Sequence, residues 1–99
     1  MSSPPFRVSV LGVGSLGKEH ARIYADLARA GGVEFAGVHD VNEQASRRIA
    51  EKYGVRAFAS TDEAALASDA LSIVTPTISH YQLAMKLLLL GKHLLVEKP

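Results

Sequence analysis

Apolar and polar positions alternate between two rhythms along this chain. Phe6 to Leu11 (F-R-V-S-V-L) is a short apolar run rich in β-branched and aromatic residues, and it stops at glycine, the pattern of a buried strand. From Ser15 the spacing becomes helical: Leu16, Ile23, Leu27 and Ala30 fall on one face, Lys18, Glu19, Arg22 and Arg29 fall off it, and Gly31-Gly32 ends the run. Val33 to His39 reads as a second strand. Asn42 then suits the N-cap of a helix that carries Ala45, Ile49 and Tyr53 inward and closes at Gly54. Arg56 to Ala59 is a weak third strand, and Ser60 with Glu63 forms the capping box of a short helix. Ala70 to Thr75 is a fourth strand cut off by Pro76. Thr77 or Ser79 caps a long helix with Leu83, Leu87 and Leu90 on one face and Gly91 at its end, and His93 to Glu97 is a fifth strand.

Strands alternating with helices imply right-handed crossovers and a parallel sheet covered on both faces. The expected architecture is α/β, a Rossmann-type doubly wound parallel sheet of order 3-2-1-4-5 that lacks the sixth strand of the full dinucleotide fold. The chain is therefore expected to be an N-terminal piece of a longer protein.

Composition narrows the function classes. The 99 residues are 47% apolar and 21% charged with a net charge of +1, and both signs are dispersed, which leaves no electrostatic footprint for nucleic acid or an anionic membrane. The longest apolar run, Leu87 to Leu90, is far short of the roughly 20 residues of a membrane span. The N-terminus carries neither a basic nor an apolar leader segment, so a cytoplasmic location is expected. Without cysteine there is no thiolate metal site or cysteine nucleophile, and no histidine has a histidine or carboxylate partner one turn away on the same helix. No metal is expected.

Gly12-Val13-Gly14-Ser15-Leu16-Gly17 spells G-x-G-x-x-G between a strand and a helix, and Asp40 follows at the end of the second strand. Gly12 allows the tight turn, Gly14 lets backbone approach a pyrophosphate, and Gly17 allows the helix to pack closely on the sheet, while the helix N-terminus supplies N–H groups to the anion. Gly12 to Lys18 also matches the start of a P-loop, but Glu19 stands where a magnesium-binding hydroxyl is needed. A glycine-rich turn that binds nothing is the plain alternative. Asp40 can accept hydrogen bonds from ribose hydroxyls and would repel a 2′-phosphate, which favours NAD over NADP; its plain alternative is a turn residue that starts the next helix.

At Thr75-Pro76-Thr77-Ile78-Ser79-His80 and Gly91-Lys92-His93-Leu94-Leu95-Val96-Glu97-Lys98-Pro99 the chain resembles the glucose-fructose oxidoreductase, inositol dehydrogenase and MocA family. The resemblance runs from the G-x-G-x-x-G-x-x-H segment ending at His20, through Asp40, to the terminal G-K-H-x-x-x-E-K-P. It implies a two-domain NAD(P)-dependent oxidoreductase that moves hydride between nicotinamide and a hydroxyl or carbonyl of a sugar, cyclitol or sugar nucleotide, with residues 1–99 as its incomplete N-terminal NAD(P)-binding domain and the C-terminal substrate domain absent. It further implies a homo-oligomer assembled through the second domain. Lys98 is implied as catalytic, with Glu97 and the Thr75-Pro76 turn along the nicotinamide side. A lysine beside a positively charged nicotinamide and partly desolvated is poised to exchange a proton with a substrate hydroxyl. His80 either approaches the cofactor or packs within its own helix. His20, on the inward side of the first helix, reads as a satisfied buried histidine that can also buttress the site, and His39 and His93 read as strand residues. A dinucleotide-sensing regulator of the same family is the alternative function, and the 99-residue piece alone is expected to be inactive.

Overall fold

The computed structural model describes residues 6–75 and 77–97, with side chains described outside 77–81. Its elements run β1 (Arg7–Leu11), α1 (Ser15–Arg29), β2 (Glu34–His39), α2 (Glu43–Tyr53), β3 (Arg56–Ala57), α3 (Thr61–Leu66), β4 (Ala70–Ile73), α4 (Thr77–Leu89) and β5 (His93–Val96). The five strands form one sheet of order β3-β2-β1-β4-β5. Every neighbouring pair is parallel, so all the strands end on the same edge.

Two apolar layers sandwich the sheet. Val10, Phe35 and Val38 pack with Ala21 of α1 and with Ile49 and Ala50 of α2. On the opposite face Leu11, Leu71 and Ile73 pack with Phe58, with Ala64 and Ala65 of α3, and with Leu87 of α4. Consecutive β1 residues Val10 and Leu11 thus serve opposite layers, as the pleat requires. No helix among the described residues is long and apolar enough to cross a membrane.

Capping follows the sequence closely. The Asn42 side chain accepts from Ala45 N–H, and Gly54 closes α2 in the left-handed conformation at φ 68°. Ser60 Oγ accepts from Glu63 N–H at 3.1 Å. The reciprocal half of that capping box is replaced: the Glu63 carboxylate accepts from Arg56 Nη2 at 2.8 Å. The predicted cap of α4 at Thr77 or Ser79 depends on side chains outside the described set.

The inward face of α1 differs from the expected one. Gly17, His20 and Ala21 are buried, with Tyr24, Ala25 and Ala28 packed behind them, whereas Leu16, Ile23 and Leu27 are exposed. The physical reason lies at the start of the helix, where a Cβ on Gly17 would sit 1.9 Å from Gly12 O. Only the hydrogen-sided face of glycine can meet the turn, and this sets the rotation of the helix. Leu90 is likewise exposed, because α4 ends at Leu89 and the chain turns at Gly91, φ 75°, before Leu90 can join the face of Leu87. Predicted strand ends contract by one or two residues, chiefly β3 and β4, where the chain turns away to make the crossovers.

At the opposite edge from the strand ends, Arg7 and Asp69 clamp β1 to β4. Arg7 N–H donates to Asp69 Oδ2 at 2.8 Å, its guanidinium donates to Oδ1 at 3.1 Å, and Asp69 N–H returns a bond to Arg7 O at 2.8 Å. The guanidinium hydrogen bond, helped by the backbone one, lowers the Asp69 carboxyl from 3.8 to about 2. A depressed folded value means that the pair's stabilisation is fully present above pH 3.8 and is lost as pH falls through about 2. Asp69→Asn is therefore expected to melt below the parent at neutral pH, with the gap closing between pH 4 and pH 2 in thermal scans; a gap independent of pH would refute the assignment.

Candidate functional site

The β1–α1 turn is wedged between two neighbours at the strand-end edge. Gly12 N–H donates to His39 O at 2.7 Å, and Gly12 adopts φ 94°. A Cβ there would meet Val74 O at 2.6 Å and Thr75 N at 2.9 Å, so the glycine turn lies directly on the segment that leaves β4. Val13 sends its side chain into the core, and its N–H donates to Asp40 Oδ2 at 2.8 Å. Asp40 Oδ1 accepts from Asn42 N–H at 2.8 Å. Asp40 is thus the turn residue that starts α2, the plain alternative read from sequence, and also a strut of the glycine loop, a role the sequence did not suggest.

Gly14 is the N-cap of α1 and supplies no capping side chain, and no acidic residue follows in the first turn. A Cβ on Gly14 would meet nothing within 4 Å. The helix therefore opens with uncapped N–H groups facing free space, flanked by the exposed Ser15 and Leu16. On α2, Arg47 is ion-paired with Glu43.

On the other side of the glycine turn, Val74 N–H donates to Leu11 O at 2.8 Å and Thr75 is half-buried. Glu97 N–H donates to Ile73 O at 3.0 Å, which carries the β4–β5 ladder one step past the strand. The Glu97 carboxylate accepts from His20 Nε2 at 3.1 Å. Of the residues singled out from sequence, Gly12, Val13, Gly14, Ser15, Leu16, Gly17, Asp40, Thr75 and Glu97 gather on this one edge; Pro76, Lys98 and the side chain of His80 lie outside the described residues. The His20–Glu97 bond and the Val74 carbonyl under Gly12 are new. Neither follows from local pattern, since each joins residues far apart in the chain.

The sequence model of the oxidoreductase family with an NAD-binding Rossmann fold, GFO/IDH/MocA, matches residues 6–99. The chain belongs to this family. It is 41% identical over 93 residues to UDP-N-acetylglucosamine 3-dehydrogenase of Acidithiobacillus ferrooxidans, a match over 94% of this chain and 28% of that protein. The solved structure of that dehydrogenase superposes with a TM-score of 0.87 at 39% identity, covering 98% of this chain and 31% of the other. Glucose-6-phosphate 3-dehydrogenase of Bacillus subtilis is 30% identical over 94% of this chain and 26% of its own length. GenD2 from gentamicin A biosynthesis, solved in complex with NAD, superposes with a TM-score of 0.86 at 28% identity over 98% of this chain and 28% of its own. The chain thus spans between a quarter and a third of these relatives.

As the NAD-binding domain of a GFO/IDH/MocA oxidoreductase, the chain has residues that fit the cofactor. The open space at Gly14 beside an uncapped 15-residue helix suits a pyrophosphate. Asp40, with one backbone N–H on each oxygen, keeps acceptor capacity for ribose hydroxyls.

Proposed function

We propose that the full-length protein is an NAD-dependent dehydrogenase acting on a hydroxyl of a sugar or sugar nucleotide, with this chain as its cofactor-binding domain. The observation that carries the reading is the bond from Val13 N–H to Asp40 Oδ2, which locks a carboxylate onto the glycine loop itself. A carboxylate held there accepts from paired ribose hydroxyls and repels a 2′-phosphate. Arg47, the first basic residue after Asp40 in the sequence, is ion-paired with Glu43.

Bound NAD supplies a hydride acceptor at its nicotinamide ring. The chain's part is to bind and orient: the N–H groups at the start of α1 hold the pyrophosphate, Gly14 permits the close approach, and Asp40 selects the ribose. Thr75, Pro76, His80 and Glu97 line the nicotinamide half, and Lys98 Nζ takes the proton of the substrate hydroxyl as the carbonyl forms. The sugar class is supported by relatives that are 3-dehydrogenases of UDP-N-acetylglucosamine and of glucose 6-phosphate. The reading extends to a cytoplasmic homo-oligomer assembled through the second domain and, in keeping with a net charge of +1, to no nucleic-acid partner.

Calorimetric titration with NAD and with NADP tests this. NAD is expected to bind more tightly, and Asp40→Ser to narrow the preference about tenfold, or roughly 1.4 kcal/mol. An unchanged preference would overturn the role of Asp40. Binding of neither dinucleotide by the full-length protein would overturn the reading as a whole.

A further inference from the structure

We propose that His20 is a positioning residue: through the Glu97 carboxylate it anchors the main chain that carries Lys98. The inference rests on the reading of Lys98 given above, and its observations are separate from that reading.

Glu97 is held at both ends. Its N–H donates to Ile73 O at 3.0 Å, and its Oε1 accepts from His20 Nε2 at 3.1 Å, a contact across 77 positions of the chain. Among the described residues β4 pairs with the backbone of β5. The tether from α1 adds a side-chain hold on Glu97 to that backbone ladder, at the residue that precedes Lys98 in the sequence.

The anchor itself is rigid. His20 is 9% exposed and stands on the α1 face fixed by the contact of Gly17 with Gly12. Its ring meets Tyr24 edge-on, with centroids 6.4 Å apart, and the Tyr24 hydroxyl is 2.5 Å from Ser72 Oγ on β4. The helix that opens the dinucleotide site therefore also positions Glu97. A displacement of about 1 Å at a reacting group costs up to about 100-fold in rate, which gives such an anchor its value.

Nuclear relaxation of the Lys98 amide, in the full-length protein with His20→Leu, His20→Gln or Glu97→Ala, tests the anchor. His20→Leu and Glu97→Ala are expected to drop the amide order parameter below about 0.6, the flexible range. His20→Gln, which keeps a side-chain N–H donor, is expected to restore it. In the full-length protein, with NAD and UDP-N-acetylglucosamine, His20→Leu should lower kcat roughly tenfold with the KM for NAD within about twofold, and His20→Gln should recover most of the loss. An unaltered amide in both His20→Leu and Glu97→Ala overturns the proposal; should His20→Leu not fold, Glu97→Ala at the half-buried position decides alone. Lys98→Met separates the two ideas. Full turnover in that variant, with a loosened amide in His20→Leu, refutes the catalytic reading and leaves the anchor standing; lost turnover with an unaltered amide and kcat in His20→Leu does the reverse.

Discussion

Gly17→Ala is expected to lower the melting temperature by about 5–20 °C and to weaken NAD binding by roughly 100-fold. The added Cβ would lie 1.9 Å from Gly12 O and 2.8 Å from Gly12 C. Both are backbone atoms of a turn already wedged against Val74, so no rotamer change relieves the clash and α1 must lift off the sheet. Lifting the helix moves the N–H groups meant for the pyrophosphate and strips packing from Ala21 and Tyr24. Gly14→Ala is the matched control. Its Cβ meets nothing within 4 Å, and its φ of −68° suits any residue, so the fold should tolerate it while the methyl group obstructs the dinucleotide. Thermal melts and calorimetry on the two variants separate the effects; a Gly17→Ala protein with parental melting and affinity would refute the steric account.

Lys98→Met in the full-length protein is expected to cut turnover by about a thousandfold and to leave NAD affinity within about threefold. Methionine retains an unbranched stem of similar reach and removes the titratable amine. The loss should therefore fall on the step in which the substrate hydroxyl gives up its proton, while pyrophosphate and ribose contacts, made by the glycine loop and Asp40, persist. A primary deuterium isotope effect that grows in the variant would locate the loss in the chemical step. Retained turnover would remove Lys98 from the mechanism.

Most of the architecture was legible because its signals are local. Glycine stops, Asn42 and Ser60 at helix starts, and Gly54 and Gly91 at helix ends are each written within four or five residues, and all of them act in the structure as expected. The observed strand order is that of the dinucleotide fold expected from the alternation of elements. The glycine loop and Asp40 were visible for the same reason, since their spacing is a property of one βαβ unit.

Other features have no local signature. Helix α1 carries two overlapping apolar stripes, one of large side chains at Leu16, Ile23 and Leu27 and one of small or polar-tipped residues at His20, Ala21, Tyr24 and Ala28, and periodicity prefers the larger. The steric demand at Gly17 decides between them. Gly37 has the same character: a Cβ there would lie 2.4 Å from Arg56 O, a neighbour visible only once β3 is laid against β2.

The order of elements, the glycine turn and the acidic residue after β2 are determined by the amino-acid sequence alone, because each depends on backbone preferences and spacings within a few tens of residues. The rotation of α1, the strut from Val13 to Asp40 and the tether from His20 to Glu97 are decided only in the folded chain. Each depends on which atoms meet after the parallel crossovers have brought distant segments to one edge, and that meeting is set by packing geometry rather than by local propensity.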